Sequence, residues 1–187
     1  MAKDQPSAKS QAVLQRHVVF VGLMGAGKSA IGRRVAARID ARFRDSDVEI
    51  EKAAGMRIAD IFTIHGEAEF RSGERRVIAR LLGEPPMVLA TGGGAYMDPE
   101  TREVLSRHAT TVWMRAELDV LVKRCAKRSH RPLLKTGDPR TILAGLMATR
   151  DPVYAQADVT VDSREEPHEI AVRSIVETLR DRGDLIP

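Results

Sequence analysis

Short β-branched runs alternating with longer helical stripes predict an α/β fold: a three-layer α/β/α sandwich with helices on both faces of a five-stranded parallel sheet. Two further observations support that class. A glycine-rich loop sits between the first strand and the first helix, and 187 residues suffice for one domain with a core but not for two ordinary ones.

Residues 1–16 (MAKDQPSAKSQAVLQR) are polar, carry Asp4 and Pro6, and are expected to form a flexible tail ahead of a single domain over 17–187. They lack the apolar stretch and small-residue cleavage site of a secretory signal, so a cytoplasmic protein is expected. Strands are placed at 17–21, 43–45, 87–91, 110–114 and 159–162. The stripe Ile31, Val35, Ile39 follows the first strand. Later stripes are Phe70, Val77, Ile78, Leu81, Leu82, then Leu118, Leu121, Val122, Cys125, and finally Val172, Ile175, Val176, Leu179. Cys125, the lone cysteine, has no disulfide partner and reads as a small core residue. Residues 129–139 (SHRPLLKTGDP) break the pattern with two prolines and a glycine and read as an exposed loop between helices.

Composition removes several function classes. The longest apolar or glycine run, 18–27, stops at Lys28, short of the roughly 18 residues that span a bilayer, so no membrane partner is expected. The net charge is +4, and 23 of the 30 basic residues are arginine, whose planar fork suits phosphate and carboxylate ligands. Such charge also suits nucleic acid, but aromatics are only 4% and scattered, which leaves no stacking platform for bases and no nucleic-acid partner expected. The five histidines, His17, His65, His108, His130 and His168, show no paired ligand spacing.

Residues 22–29 (GLMGAGKS) match G-x-x-x-x-G-K-[ST] in the required context, with a β-rich run before and a helical stripe after. The glycines let the backbone wrap an anion, and the amides of Gly25, Ala26 and Gly27 and of the helix start face phosphate oxygens. Lys28 supplies charge for the β and γ phosphates, and Ser29 is a Mg²⁺ ligand. Nucleotide binding follows, while the acceptor stays open: water, a protein, a nucleotide or a small alcohol.

Asp45, Ser46 and Asp47 end the second strand and open a helix at the carboxyl edge of the sheet, where ligands of open α/β folds bind. Two readings coexist. Asp45 can hold the metal and Asp47 orient an acceptor hydroxyl, or the three residues simply cap the helix. Arg71 beside the Phe70 stripe reaches toward the same crevice or pairs with Glu67 one turn back. Three glycines, Gly92, Gly93 and Gly94, follow a central strand, more than a plain turn needs, and so favour close approach of a ligand. Arg131 can swing onto a transferring phosphoryl group, and Arg150 stands before Asp151-Pro152 at a helix end; each can equally be a solvated cation.

Taken in order, GLMGAGKS, DSDVEIE from Asp45, IADIF from Ile58, GEAEFR from Gly66, TGGGA from Thr91, RPLL from Arg131 and RDPVY from Arg150 resemble the shikimate kinase family over residues 17–180. The resemblance implies a nucleoside-monophosphate-kinase-like fold with sheet order 2-3-1-4-5, a lid at 129–139, and substrate-binding helices after the second strand. It implies transfer of the ATP γ-phosphoryl group to the 3-hydroxyl of shikimate, with Mg²⁺, in aromatic amino-acid biosynthesis, by a monomer. By matching position, Lys28, Ser29 and Asp45 serve ATP and metal, and Asp47 engages the acceptor hydroxyl as base. Arg71 and Arg150 hold the shikimate carboxylate, Gly92, Gly93 and Gly94 offer amides to the substrate, and Arg131 arrives on the lid. Arg124 stacks on adenine, with Pro167 as its opposite face. Ala30 stands where the family usually has threonine, which removes one hydroxyl near the phosphates and implies retained activity, since backbone amides carry that contact. Gluconate kinase shares the cradle but does not predict the DSDVEIE, EFR, GGG and RPLL set. An RNA-binding P-loop protein leaves Asp47, Arg71 and Arg150 without a role.

Overall fold

The protein is described from a computed structural model, which covers residues 12–126 and 137–187. In chain order the elements begin with β1 (Val13–Leu14), β2 (His17–Val21), α1 (Lys28–Arg38), β3 (Phe43–Asp45), α2 (Ser46–Ala54), α3 (Ile58–Leu82) and β4 (Val88–Ala90). A 3-10 turn (Ala95–Met97), α4 (Pro99–His108), β5 (Ala109–Arg115) and α5 (Leu118–Ala126) follow. The chain then forms α6 (Pro139–Tyr154), β6 (Val159–Asp162), α7 (His168–Asp181) and β7 (Leu185–Ile186).

The five strands expected from the sequence build one parallel sheet in the order β3-β4-β2-β5-β6. Counting those five alone, this is the order 2-3-1-4-5. Every residue of the central strand β2 is buried, as a strand covered on both faces must be. Helices flank the sheet on both sides, α1 packing against α7 and α5 against α6. The predicted stripes face inward: Phe70, Val77, Ile78, Leu81 and Leu82 of α3, Val172, Ile175, Val176 and Leu179 of α7, and Cys125 of α5 are all buried. No helix among the described residues is long and apolar enough to cross a membrane.

The strands expected at 87–91 and 110–114 run over Val88–Ala90 and Ala109–Arg115, and three larger differences from the sequence reading follow. Val13 and Leu14, expected in the flexible tail, form β1, which pairs antiparallel with β7 through Val13↔Ile186 and Leu14↔Leu185. A two-residue strand has no periodicity to read, and its partner lies at the opposite end of the chain. The rest of the tail, 1–11, is outside the described residues. The expected loop 129–139 yields its last residue to α6, where Asp138 caps the helix by accepting from the Thr141 amide at 2.9 Å and Pro139 takes the first helical position. Residues 129–136 of that expected lid are outside the described residues. Finally, α6 does not stop at Arg150 before Pro152 but runs on to Tyr154. Pro152 forfeits one backbone bond, and full burial of Tyr154 anchors the last turn beyond it.

Within α3 the helical path breaks at Gly66 (φ 81°, ψ 175°), so the segment carrying Phe70 and Arg71 starts afresh there.

Candidate active site

The nucleotide loop bridges β2 and α1. Gly25 takes φ 83°, and a Cβ there would lie 2.9 Å from the Cys125 sulfur, so the loop is seated directly on α5 and tolerates no side chain. Gly27, also left-handed at φ 96°, is the N-cap of α1, which aims the first amides of that helix into the loop's concavity. The Lys28 side chain is buried and Nζ donates to the carbonyls of Gly22 at 2.7 Å and Leu23 at 2.9 Å. Ala26 is buried, and Ala30 lies in the first turn of α1.

The capping reading of the carboxylate pair is present in the structure, and it leaves Asp45 in contact with Ser29. Asp45 caps α2 through Oδ1, which accepts from the Asp47 amide at 3.1 Å, while its Oδ2 accepts the Ser29 hydroxyl at 2.6 Å. One residue therefore ties the start of α2 to the start of α1. Ser29 and Asp45 present two hard oxygen donors, a fit for Mg²⁺, which takes one or two protein ligands and fills its octahedron from phosphates and water. No group of three or more His, Cys, Asp and Glu residues among the described residues is arranged to hold a metal by itself.

The glycine run leaves β4 and brings the remaining groups together. Thr91 fixes its entry, both amide and hydroxyl donating to the Phe20 carbonyl, at 3.1 and 2.9 Å. The Gly92 amide donates to the Ser46 hydroxyl at 3.0 Å. Positions where Cβ atoms would stand locate the neighbours. At Gly92 that position is 2.8 Å from Asp47 Oδ1 and 2.9 Å from Glu74 Oε1; at Gly93 it is 3.4 Å from the Met24 amide nitrogen. At Gly94 the Arg71 guanidinium occupies the space, its Nη2 only 2.4 Å from where a Cβ would be. On the other side, Arg150 Nη1 donates to the Gly93 carbonyl at 3.2 Å. Asp47, Arg71 and Arg150 thus converge on one glycine run that also touches the nucleotide loop.

Arg71 keeps its local partner as well, pairing with Glu67 at 3.3 Å and more closely with Glu74 at 2.6 Å. Glu74 is 2% exposed, and its Oε1 has no hydrogen-bond partner. Burial pushes its carboxyl up, with the Arg71 charge opposing and Asp47 adding to the rise. Arg124 is half-buried: Nη1 donates to Ser163 Oγ at 2.8 Å and Nη2 to the Arg164 carbonyl at 2.7 Å. Ser163 and Pro167 line a cavity of about 240 Å³ beside the loop. Arg131 is outside the described residues.

Sequence reasoning missed three buried groups of this region: Ser46, Glu74 and Tyr154. Glu74 follows Arg71 by three positions and Tyr154 follows Arg150 by four, spacings that put each pair on one helix face. Spacing alone, however, does not distinguish a buried partner from a solvated one.

The shikimate kinase family profile matches residues 24–180. A shikimate kinase from Paramagnetospirillum magneticum is 57% identical over 170 residues, covering 91% of this chain and 87% of the relative. A shikimate kinase from Bradyrhizobium diazoefficiens is 53% identical over 165 residues, covering 88% and 80%. Among solved structures, shikimate kinase from Acinetobacter baumannii in complex with shikimate superposes with a TM-score of 0.86 at 33% identity, covering 89% of this chain and 94% of that one.

Proposed function

The chain belongs to the shikimate kinase family, and from that premise we infer that it transfers the γ-phosphoryl group of ATP to the 3-hydroxyl of shikimate, giving shikimate 3-phosphate and ADP for aromatic amino-acid biosynthesis. The observation that carries the reading at residue level is the meeting of Asp47, Arg71 and Arg150 on a glycine run that abuts the nucleotide loop at Gly93.

Each group has work suited to its chemistry. The amides of Gly25, Ala26, Gly27 and Ala30 and the Lys28 ammonium cradle the phosphates, and Lys28 leaves its loop carbonyls to follow the developing charge. Ser29 and Asp45 hold Mg²⁺, which when bound neutralises charge on the β and γ phosphates. Arg71 and Arg150 bind the shikimate carboxylate with charge-assisted hydrogen bonds, and the amides of Gly92, Gly93 and Gly94 orient the ring. Asp47 accepts the proton of the attacking hydroxyl, so that the nucleophile is positioned and activated beside the phosphate cradle. Arg124, held against Ser163, offers a flat cationic face to adenine, and Pro167 lines a cavity that Ser163 also borders. Arg131 is assigned to the transferring phosphoryl group by the family's motif alone.

The test is ADP release from Mg·ATP with shikimate, gluconate, a nucleoside monophosphate or no acceptor, at moderate salt. Turnover that depends on shikimate alone is expected. Turnover with another acceptor overturns the assignment of Asp47, Arg71 and Arg150.

A further inference from the structure

We propose that Tyr154 is a positioning residue of the acceptor site, its hydroxyl holding the Gly93 carbonyl so that the glycine run and the Arg150 guanidinium are set for the substrate carboxylate. This rests on the acceptor-site reading above.

Tyr154 is completely buried, and its ring lies between two others, 6.1 Å from Trp113 and 6.2 Å from Tyr96, both near-parallel. A phenol in such a place needs a partner for its O–H, and the partner is the Gly93 carbonyl. Arg150, one helical turn earlier, donates to the same oxygen at 3.2 Å. Gly93 is also the residue nearest the nucleotide loop, so its carbonyl is held from α6 while its Cα faces the Met24 amide.

The consequence is geometric. In a planar trans peptide the N–H points opposite to the C=O, so fixing the Gly93 oxygen toward α6 fixes the Gly94 amide in the opposite direction. Glycine has the widest choice of backbone conformations; the Ala95 amide closes a turn onto the Gly92 carbonyl at 3.2 Å, and the hydrogen bonds from α6 add a second restraint at the Gly93 carbonyl. Burial pushes the Tyr154 hydroxyl up to about 12, so it remains a donor throughout the pH range of the enzyme's use. Arg150 adds a second donor to the Gly93 carbonyl from a side chain that is also assigned to the carboxylate, whereas the buried Tyr154 hydroxyl is assigned to no ligand.

Tyr154→Phe removes the hydroxyl and keeps the ring stack. The expected result is a KM for shikimate raised roughly 2- to 10-fold, the loss of one buried hydrogen bond, with the KM for ATP within about twofold of the parent. Thermal unfolding and direct shikimate titration by calorimetry accompany the kinetics, and Arg150→Ala is measured alongside. An unchanged shikimate KM in Tyr154→Phe overturns the proposal. So does an equal rise in both KM values with a lowered melting temperature, the mark of a purely structural role. If Arg150→Ala also leaves shikimate binding intact, the acceptor-site reading fails and takes the proposal with it; if only Tyr154→Phe is silent, the proposal fails alone.

Discussion

The nucleotide loop and the acceptor site touch at Gly93, yet they are built by opposite means. The loop is contiguous: eight successive residues supply its amides, its lysine and the serine proposed for the metal, and Lys28 is held by carbonyls five and six positions before it. The acceptor site is assembled from α2, α3, the glycine run and α6, and its defining contacts join residues far apart in sequence, such as Gly92 to Ser46 and Arg150 to Gly93. Local backbone geometry makes the first; tertiary packing makes the second. Substitutions at the loop should therefore disturb nucleotide handling together with the fold, whereas substitutions at the acceptor site should remove one substrate and leave the fold standing.

The largest expected effect comes from Asp47→Asn, which should cost roughly 10²- to 10⁴-fold in kcat, the usual contribution of a general base, while ADP affinity by calorimetry is unchanged. Loss of nucleotide binding in that variant would place Asp47 with the loop rather than with the acceptor. Next, Arg71→Ala and Arg150→Ala should each raise the KM for shikimate about 10- to 100-fold, the loss of charge-assisted hydrogen bonds worth about 1.5–3 kcal/mol. Normal shikimate affinity in both would sink the pairing of these arginines on the carboxylate.

A pair of glycine substitutions sharpens the contrast. Gly25→Ala forces a methyl into positive φ against the Cys125 sulfur at 2.9 Å and should cost about 1–3 kcal/mol of stability along with nucleotide affinity, read from melting temperature and ADP titration. Gly94→Ala meets the Arg71 guanidinium, which must shift and loosen its pair with the buried Glu74 carboxylate. It should weaken shikimate binding and leave ADP affinity unchanged. An equal loss of ADP affinity in the two variants would dissolve the distinction between the regions.

The smallest effect lies away from both. His17 is buried at the start of β2, its Nε2 facing the Leu82 carbonyl at 3.1 Å and its Nδ1 without a partner. Burial lowers its pKa below the ordinary 6.5, so the unfolded chain takes up a proton more readily than the folded one. Its contribution to stability is therefore fully present above about pH 6.5 and is lost as pH falls through the lowered folded value. Melting temperatures measured between pH 7.5 and 5 should fall, and His17→Asn should flatten that slope; an identical slope in the variant would assign it to other groups.

The five sheet strands, the inward stripes of α3 and α7, and the cradle at 22–29 were legible in the chain, because hydrophobic period and glycine-rich turn chemistry are local properties, whereas the strand order came only from the family resemblance. Asp45 shows where that legibility stops. Helix capping and metal support were both open to it, and only the fold showed that its two oxygens meet the Asp47 amide and the Ser29 hydroxyl at once. Arg71 and Arg150 stood as either crevice groups or local and solvated cations until the family resemblance assigned them the carboxylate, since an arginine's sequence neighbours do not tell whether its head group meets solvent or a glycine run. Ser46, Glu74 and Tyr154 were invisible for the same reason, being polar groups whose burial is decided by what packs over them. The sequence by itself determined the class of fold, the nucleotide cradle and the family's chemistry. Tertiary structure alone decided which carboxylates, guanidiniums and hydroxyls meet at Gly92, Gly93 and Gly94, because those contacts form only when elements separated along the chain close on one edge of the sheet.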